Sequence, residues 1–369
     1  MSCIGKVLLK FDSQFDVNEK KKLRDGLSAV LQIDQTLWLA NDETLSLERL
    51  TVTSQAAVGE LIYAGHQQFA LNELLDLPSP PTSPQEFEEA DIEGLAYDEA
   101  EHYLWLIGSH SLKRKQADAG KTDRENIERL SKVSNDGNRY LLARIPVVEE
   151  GGTLQLVRTA TDSQRTAALL RGEQSLNALT KALKHDEHLR DFFAIPGKDN
   201  GFDIEGLAVA GKRLFIGLRG PVLRGWAIIL EIEPRIDEHD SYSMNLANIG
   251  EDCHLYNKHF LQLDGLGIRD LCVDGNDLLI LAGPTMDLDG PVTVSRWVNG
   301  VQTTGDSVVP RENLVKVLDV PFGQRGDHGE GMTLFSAGDG SGSQLLLVYD
   351  SPLGRGSGGS VEADIFGLK

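Results

Sequence analysis

The chain has 369 residues, of which 40% are hydrophobic and 25% are charged, a balance typical of a soluble globular protein. Its formal net charge of −20 argues against nucleic acid or an anionic membrane surface as the main partner, because long-range repulsion opposes both. No stretch approaches the roughly 20 apolar residues that cross a membrane, and the apolar run near the N-terminus is too short for a signal peptide. The three cysteines follow no disulfide or metal spacing, so we expect a cytoplasmic protein with reduced thiols.

One hairpin pattern recurs along the chain. Each copy has a leading acidic residue (Arg269 in the fourth copy), a small residue and two apolar strands joined by a Gly, Asp or Asn turn. In chain order the copies span residues 24–43, 91–110, 203–221, 267–284 and 329–352. A third strand is predicted after each hairpin, at SLERLTV, YLLARIPVV, AIILEIE, VTVSRWV and DIFGL. A fourth strand is predicted at QQFALNELL, DFFAIPG, HFLQLDGL, LVKVLDV and, from the N-terminus, KVLLKF.

The spacing of the hairpins predicts the architecture. Their leading positions lie 68, 112, 64 and 61 residues apart, and a further 64 residues close the circle. Four-stranded antiparallel units that return cyclically are typical of a β-propeller. We therefore predict one all-β domain over residues 1–369, a five-bladed β-propeller whose last blade combines strands from both chain ends. Six blades are the alternative, if the long second interval contains a degenerate blade.

The long second interval is interpreted as decoration of the second blade. Residues 161–192 are predicted to form one or two amphipathic helices, with apolar residues at helical intervals at Leu169, Leu170, Leu176, Leu179 and Leu183. Residues 113–135 are predicted to contain a short helix that begins with a Thr122–Glu125 capping box. Residues 77–87 are rich in proline and are predicted to be a connector outside the sheets.

The leading residues are expected to gather at the mouth of the central channel, because the first strand of each blade lines that channel. The carboxylates expected there are Asp25, Glu93, Glu205 and Glu330. They would repel one another and raise at least one pKa unless a positive charge lies between them. Arg269, at the fifth position, is one candidate counter-ion, and Ca²⁺ or another divalent cation held by these carboxylates is the other. In the alternative interpretation, each carboxylate only hydrogen-bonds backbone N–H groups of the next blade.

Further candidate side chains fall on the same face. His110 and His328 are candidates for a general base or a ligand. Arg219, Arg269, His110 and Asp350 are predicted to bind a small molecule. In the enzymatic hypothesis Glu205 or His328 activates a water, the metal polarises the substrate, and Arg219 orients an anionic group. This predicts a hydrolase of phosphoesters, esters or lactones, and the alternative is a scaffold propeller that binds a ligand or a protein without catalysis.

Two phrases of the sequence carry a resemblance to known families. GKDNGFDIEGLA, followed by LFIGLRGPVLRGWAIILEIE, resembles the uncharacterised bacterial family catalogued as domain of unknown function 3616. This likeness covers nearly the whole chain and implies a β-propeller without an established activity. The D-x-EGL phrase, at Asp91 to Leu95 and again at Asp203 to Leu207, is similar to that of phytase-like esterase propellers. The chain lacks the dense acidic motifs of the calcium-dependent phytases.

Overall fold

A computed structural model describes residues 3–18, 21–56, 60–83, 86–173, 176–250, 253–286, 288–322, 328–337, 343–350 and 354–368. The strands in these residues are β1 Cys3–Lys10, β2 Leu27–Ile33, β3 Thr36–Asn41, β4 Ser46–Ala56, β5 Glu60–Ala70, β6 Ile92–Asp98, β7 Tyr103–Gly108, β8 Lys113–Arg114, β9 Val133–Ser134, β10 Leu142–Glu150, β11 Thr153–Leu156, β12 Ala168–Leu170, β13 Gly172–Glu173, β14 Leu176–Asn177, β15 Asp203–Ala210, β16 Arg213–Gly220, β17 Trp226–Ile232, β18 Pro234–Asp237, β19 Asp240–Leu246, β20 Asn257–Gln262, β21 Gly267–Asp274, β22 Asp277–Gly283, β23 Val292–Trp297, β24 Ser307–Val309, β25 Leu314–Val320, β26 His328–Phe335, β27 Gln344–Asp350, β28 Gly356–Ser357 and β29 Ser360–Gly367. The helices are α1 Leu71–Leu74, α2 Asp123–Leu130 and α3 Ala178–Leu183. None of these described helices is long and apolar enough to cross a membrane.

Most strands belong to antiparallel groups of four that follow one another along the chain. In order they are β2–β3–β4–β5, β6–β7–β10–β12, β15–β16–β17–β20, β21–β22–β23–β25 and β26–β27–β29–β1. The N-terminal strand β1 pairs antiparallel with β29, which confirms that the two chain ends share a sheet. It also runs parallel to β5, and this pairing joins the last group to the first.

The groups are arranged around an axis. The first strands β2, β6, β15, β21 and β26 contact one another in cyclic order, and β26 returns to β2. Apolar side chains of each group pack against those of the next, so five separate clusters fill the spaces between neighbouring groups. The all-β, propeller-like architecture predicted from the repeat is therefore observed. Burial on both faces explains why the second strands, such as YLWLIG and LLILAG, read as continuous apolar runs.

The outer strands depart from the prediction in the second group. Its fourth strand is β12, whereas DFFAIPG contains no strand and only parts of two short 3-10 turns. The hairpin β18–β19 lies in sequence between β17 and β20 of the third group but adds to the second, because β19 pairs parallel with β12. The predicted long helices in residues 161–192 are therefore wrong in part. Leu169 and Leu170 lie in β12 and Leu176 in β14, while Leu179 and Leu183 lie on the six-residue helix α3.

The two other predicted segments agree better with the structure. Helix α2 begins at the predicted capping box: Thr122 accepts from the Glu125 backbone, and the Glu125 side chain accepts from the Thr122 backbone. The connector 77–87 contains neither helix nor strand in its described residues, while residues 84 and 85 lie outside them. It is fixed to the second group by Asn138, which exchanges hydrogen bonds with the Ser79 backbone at 2.8 and 3.0 Å.

Candidate functional site

Every first strand contains a β-bulge near its start. The pairing register with the second strand shifts by one residue between Leu27 and Ala29, and equivalent shifts occur in the four other hairpins. A bulge re-aims the side chain of the extra residue. The extra residues are Ser28, Glu93, Glu205, Arg269 and Glu330. We call these five side chains the bulge ring.

The glycine of the EGL phrase has a packing role. A Cβ on Gly94 would lie 2.7 Å from Cβ of Leu207, and one on Gly331 would lie 2.9 Å from Cα of Ala29. In both cases the neighbour belongs to the next first strand of the circle. A residue without a side chain is therefore needed here for the close approach of two first strands.

A second set of residues lies at the ends of the second strands. In each hairpin, the last first-strand residue before the bulge pairs with a second-strand residue, and the member of this set is the residue that follows that partner. Its members are Asp42, Ser109, Arg219, Gly283 and Asp350. Because the two strands of a hairpin are antiparallel, these residues lie at the same end of the circle as the bulge ring. We call them the rim set.

Both sets border one cavity. Its volume is about 580 Å³, and it is lined by four bulge-ring residues and three rim residues: Ser28, Glu93, Glu205, Glu330, Asp42, Arg219 and Asp350. Loops above them contribute further charged side chains, which include Lys198, Arg139 and the run Lys113 to Lys115. The gathering of Glu93, Glu205 and Glu330 with Arg219 and Asp350 agrees with the geometry expected from the repeat.

Two arginines neutralise one side of the bulge ring. Arg219 forms ion pairs with both Asp203 and Glu205, and only about 7% of its side chain is exposed. Arg269 pairs with Glu330, lies 3.4 Å from Oε2 of Glu205, and donates to the Pro284 carbonyl at 3.1 Å. Burial is the largest influence on Glu205 and leaves its pKa raised above the usual range, although Arg219 and Arg269 oppose the rise. The positive charge that the sequence analysis assigned to Arg269 or to a metal is thus supplied by two guanidinium groups.

Glu93 has a different environment, although it occupies the same position in its strand. In the described part of the chain its side chain forms no hydrogen bond and no ion pair. Burial raises its pKa well above the usual range, and the negative charges of Asp91, Glu205, Asp42 and Asp203 raise it further. A partly buried, unpaired carboxyl group in a cavity is a candidate for proton exchange with a ligand.

Asp42 of the rim set resembles Glu93 electrostatically. Its Oδ1 atom is buried and has no hydrogen-bond partner. Burial raises the pKa of Asp42 well above its usual range, with Asp91, Asp350 and Glu43 adding to the shift and Lys198 opposing it. By contrast Asp91, two residues before Glu93, is paired with Arg139 at 2.7 Å.

Four predicted site residues lie outside the cavity lining, namely Asp25, His110, Arg269 and His328. Asp25 ends a 3-10 turn, its side chain is 42% exposed, and it pairs with Arg24 at 3.3 Å. The prediction that it joins the ring of carboxylates is therefore wrong, because the bulge position of the first strand belongs to Ser28. His328 begins β26 opposite Asp350 but does not border the cavity.

His110 has a structural environment. Its Nδ1–H donates to the Gly108 carbonyl at 2.7 Å, and its Nε2 accepts from the Asn177 amide, also at 2.7 Å. Burial lowers the pKa of His110 to about 4. Asn177 caps helix α3, so neutral His110 attaches this helix to the second hairpin.

Backbone N–H groups of the next strand are bound by a carboxylate other than those expected. Asp270, directly after Arg269, accepts from the backbone N–H of Met332 and from that of Leu271, both at 2.7 Å. It thereby connects β21 to β26. The alternative interpretation of the ring carboxylates is thus realised by the residue that replaces the EGL glycine in the fourth group.

Sequence reasoning missed several residues of the cavity. Ser28 could have been found by aligning LSA of the first hairpin with EGL through the apolar residues on either side. Lys198 and Arg139 come from loops before the third hairpin and before β10, and no repeat signal marks them. Their positions depend on how these loops fold over the cavity.

The donors present do not fit a calcium site. Asp25 lies elsewhere, and Glu205 and Glu330 are engaged by arginines. Over the part of the chain that the structure describes, no three His, Cys, Asp or Glu side chains form a group that could hold a metal ion. The divalent cation proposed from the sequence therefore stays a prediction without a set of ligands.

The family described as "Protein of unknown function (DUF3616)" matches residues 26–364. The chain belongs to this family. No curated protein matches it. Among solved structures, it is similar to the Myxococcus xanthus glutaminyl cyclase, with 10% identity, full coverage of both chains and a TM-score of 0.37. It is also similar to the PQQ-bound aldose sugar dehydrogenase from Streptomyces coelicolor, with 10% identity, 98% coverage of both chains and a TM-score of 0.33.

Proposed function

We propose that the chain is a five-bladed β-propeller whose channel mouth binds a small polar molecule and exchanges a proton with it through Glu93. The cyclic contact of five first strands and the five apolar clusters between neighbouring groups support this blade count. The described residues of 161–192 contribute β12, two two-residue strands and α3, and no further four-stranded group that would make a sixth blade.

The observation that carries the proposal is the contrast within the bulge ring. Glu205 and Glu330 are held by arginines, whereas Glu93 borders the cavity without a partner among the described residues. A carboxyl group with a raised pKa keeps its proton to a higher pH than usual and can donate it to a leaving oxygen. The reaction class that fits is hydrolysis of an ester, lactone or phosphoester. Arg219 and Lys198 lie where an anionic part of the substrate would bind.

Relative to the sequence hypothesis, the proton-transfer role passes from Glu205 to Glu93. Glu205 is restrained by two guanidinium groups, which makes it a better anchor for Arg219 than a mobile base. His328 does not border the cavity. Arg219 keeps its proposed role in orienting an anionic group.

The test is a hydrolysis panel of chromogenic esters, lactones and phosphoesters with the wild type, Glu93→Gln and Glu99→Gln. Glu99 is a matched control because it is exposed in the turn at the opposite end of the same strand. We expect Glu93→Gln to lower kcat/KM by about 10²–10⁴-fold, the usual loss when a general acid is removed. We expect Glu99→Gln to retain wild-type activity.

A binding propeller without catalysis is the second candidate, favoured by the ion pairing of most acidic residues in the cavity. It predicts no hydrolysis of any substrate class by the wild type. Equal hydrolysis by the wild type and Glu93→Gln would contradict the proposed role of Glu93, although the protein would still be an enzyme.

A further inference from the structure

Most charged side chains that line the cavity are already paired with one another. The pairs are Arg139–Asp91, Arg114–Asp199, Lys113–Glu89, Lys21–Glu43 and Arg219 with Asp203 and Glu205. These charges already have counter-ions, so the main charged contacts of a ligand are expected at other side chains, with Arg219 in the orienting role proposed above. The charged side chains without a counter-ion therefore indicate which charges a ligand of this cavity would carry.

Among the described lining residues, two acids and two lysines remain without a side-chain hydrogen bond or ion pair, and Arg129, which donates to the Gln116 carbonyl at 2.8 Å, has no ion pair. Within the described residues, the side chains of Asp42, Glu93, Lys115 and Lys198 form no hydrogen bond and no ion pair. Asp42 and Glu93 belong to neighbouring groups, at the end of β3 and the start of β6, and border the cavity together. Lys198 comes from the loop before β15, and Lys115 from the insertion above the mouth.

We infer that the cavity binds a small zwitterionic molecule, with its ammonium group between Asp42 and Glu93 and its anionic group at Lys198 and Lys115. This inference rests on the channel-mouth site proposed above and names its ligand class. An ammonium group carries three donors and one positive charge, so it can satisfy two carboxylates at once. It would also remove the cost of leaving two acids partly buried without a partner.

The opposite end of the ligand is fixed by the charge of the loops. A lysine ammonium is a compact point charge that binds either a carboxylate or a phosphate. A free amino acid and an amino-alcohol phosphate therefore share the required chemistry, and they differ only in the anionic group. The cavity volume of about 580 Å³ lies within the range of small-molecule sites.

Proton release is expected to accompany binding. The charged groups that act on Glu93 come from every element around it: Asp91, Asp42, Asp203, Glu205, Arg139, Arg219 and Lys198. Burial, the largest cause, and the surrounding acids keep the pKa values of Glu93 and Asp42 high in the empty site. A bound ammonium favours the ionised carboxylates, so with a ligand that is not hydrolysed both groups would lose protons to the solvent. With a hydrolysable substrate, Glu93 would pass its proton to the leaving oxygen instead.

The experiment is a thermal-shift and calorimetric titration of the full chain with four probe sets. These are free amino acids, their N-acetyl derivatives, the corresponding decarboxylated amines, and O-phosphoethanolamine. We expect the zwitterions to raise Tm, and we expect loss of either charge to weaken binding at least about tenfold. Calorimetry in two buffers of different ionisation enthalpy should show net proton release. O-phosphoethanolamine decides whether the anionic end is a phosphate or a carboxylate.

Variants assign the two ends. Asp42→Asn should weaken binding of the best zwitterion at least about tenfold. The variant should bind the decarboxylated amine more weakly than it binds the zwitterion. Lys198→Met should abolish the advantage of the zwitterion over the amine. The exposed residues Glu99 and Lys212 lie at the opposite ends of their hairpins, so Glu99→Gln and Lys212→Met should bind as the wild type does.

Equal binding of the N-acetyl derivatives, or no Tm change with any zwitterion, would overturn the inference. If this occurs while Glu93→Gln still lowers hydrolysis, the ligand class is wrong and the proposed acid–base site stands. If Glu93→Gln also has no effect on hydrolysis, both proposals fail.

Discussion

The second and third groups contain the same five residues, DIEGL, at Asp91–Leu95 and at Asp203–Leu207. In both, the glutamate is the bulge residue at the start of the first strand. Yet Glu205 is bound by two arginines, and Glu93 has no partner in the described part of the chain. Identical local sequence has produced a buried ion-pair network in one place and an unpaired acid in the other.

The difference arises from the neighbours of each motif. At the rim position the third hairpin has Arg219, whereas the second has Ser109. Around the circle, Glu205 is followed by Arg269, whereas Glu93 lies between Ser28 and Glu205. Arg139 comes near the second motif but pairs with Asp91. The repeat thus sets the position of each carboxylate, and the residues outside the motif, which differ between the groups, set its charge environment.

The largest effect expected from this comparison is that of Arg219→Met. This change leaves Asp203 and Glu205 buried without their main counter-ion, so we expect a loss of about 3–5 kcal/mol in the free energy of unfolding. Urea denaturation would measure it. Arg235, which is 66% exposed and pairs with Glu233, is the matched control, and Arg235→Met should change stability by less than about 0.5 kcal/mol. Similar losses in the two variants would show that the buried ion pairs of Arg219 contribute no more to the free energy of unfolding than the exposed ion pair of Arg235.

A smaller effect is expected in the pH dependence of stability. The raised pKa of Glu93 means that its contribution is fully present below its unfolded pKa and is lost as the pH rises through the folded pKa. Glu93→Gln removes this dependence, so its stability relative to the wild type should increase as the pH rises above the usual carboxyl range, by on the order of 1 kcal/mol. The raised pKa values of Asp42, Glu205 and Asp270 act in both proteins, so their contributions largely cancel in the difference between the curves. Parallel curves would contradict an elevated pKa.

The smallest effect concerns metal ions. Because arginines already neutralise Glu205 and Glu330, EDTA or added Ca²⁺ is expected to shift Tm by less than about 1 °C. A larger stabilisation by Ca²⁺ that is lost in Glu93→Gln would instead support the cation site predicted from the sequence.

The sequence was sufficient for the architecture because the hairpin repeat is strong and periodic. The sequence-based strands agree with β1, β4, β10, β17, β20, β23, β25 and β29, and the closing pairing of β1 with β29 follows from the same count. It failed at DFFAIPG because an apolar run of this length fits a strand or a turn equally well. The exchange of β18–β19 into the second group is a tertiary pairing that has no local signal.

The candidate site was predictable in position but less so in chemistry. The repeat identified Glu93, Glu205, Arg269, Glu330 and the hairpin ends. Asp25 was misplaced because a bulge, rather than the nearest acid, defines the equivalent residue. Which carboxylate would lack a partner could not be predicted, since this depends on Arg139 and Lys198 in irregular loops.

The most direct test compares the free energies of unfolding of Glu93→Gln and Glu205→Gln at neutral pH by urea denaturation. The account predicts opposite signs. Glu93→Gln should be at least as stable as the wild type, because it removes an unpaired, partly buried acid. Glu205→Gln should lose about 2 kcal/mol or more in the free energy of unfolding, because Arg219 and Arg269 lose a shared partner. Equal losses in the two variants, or a larger loss in Glu93→Gln, would contradict it.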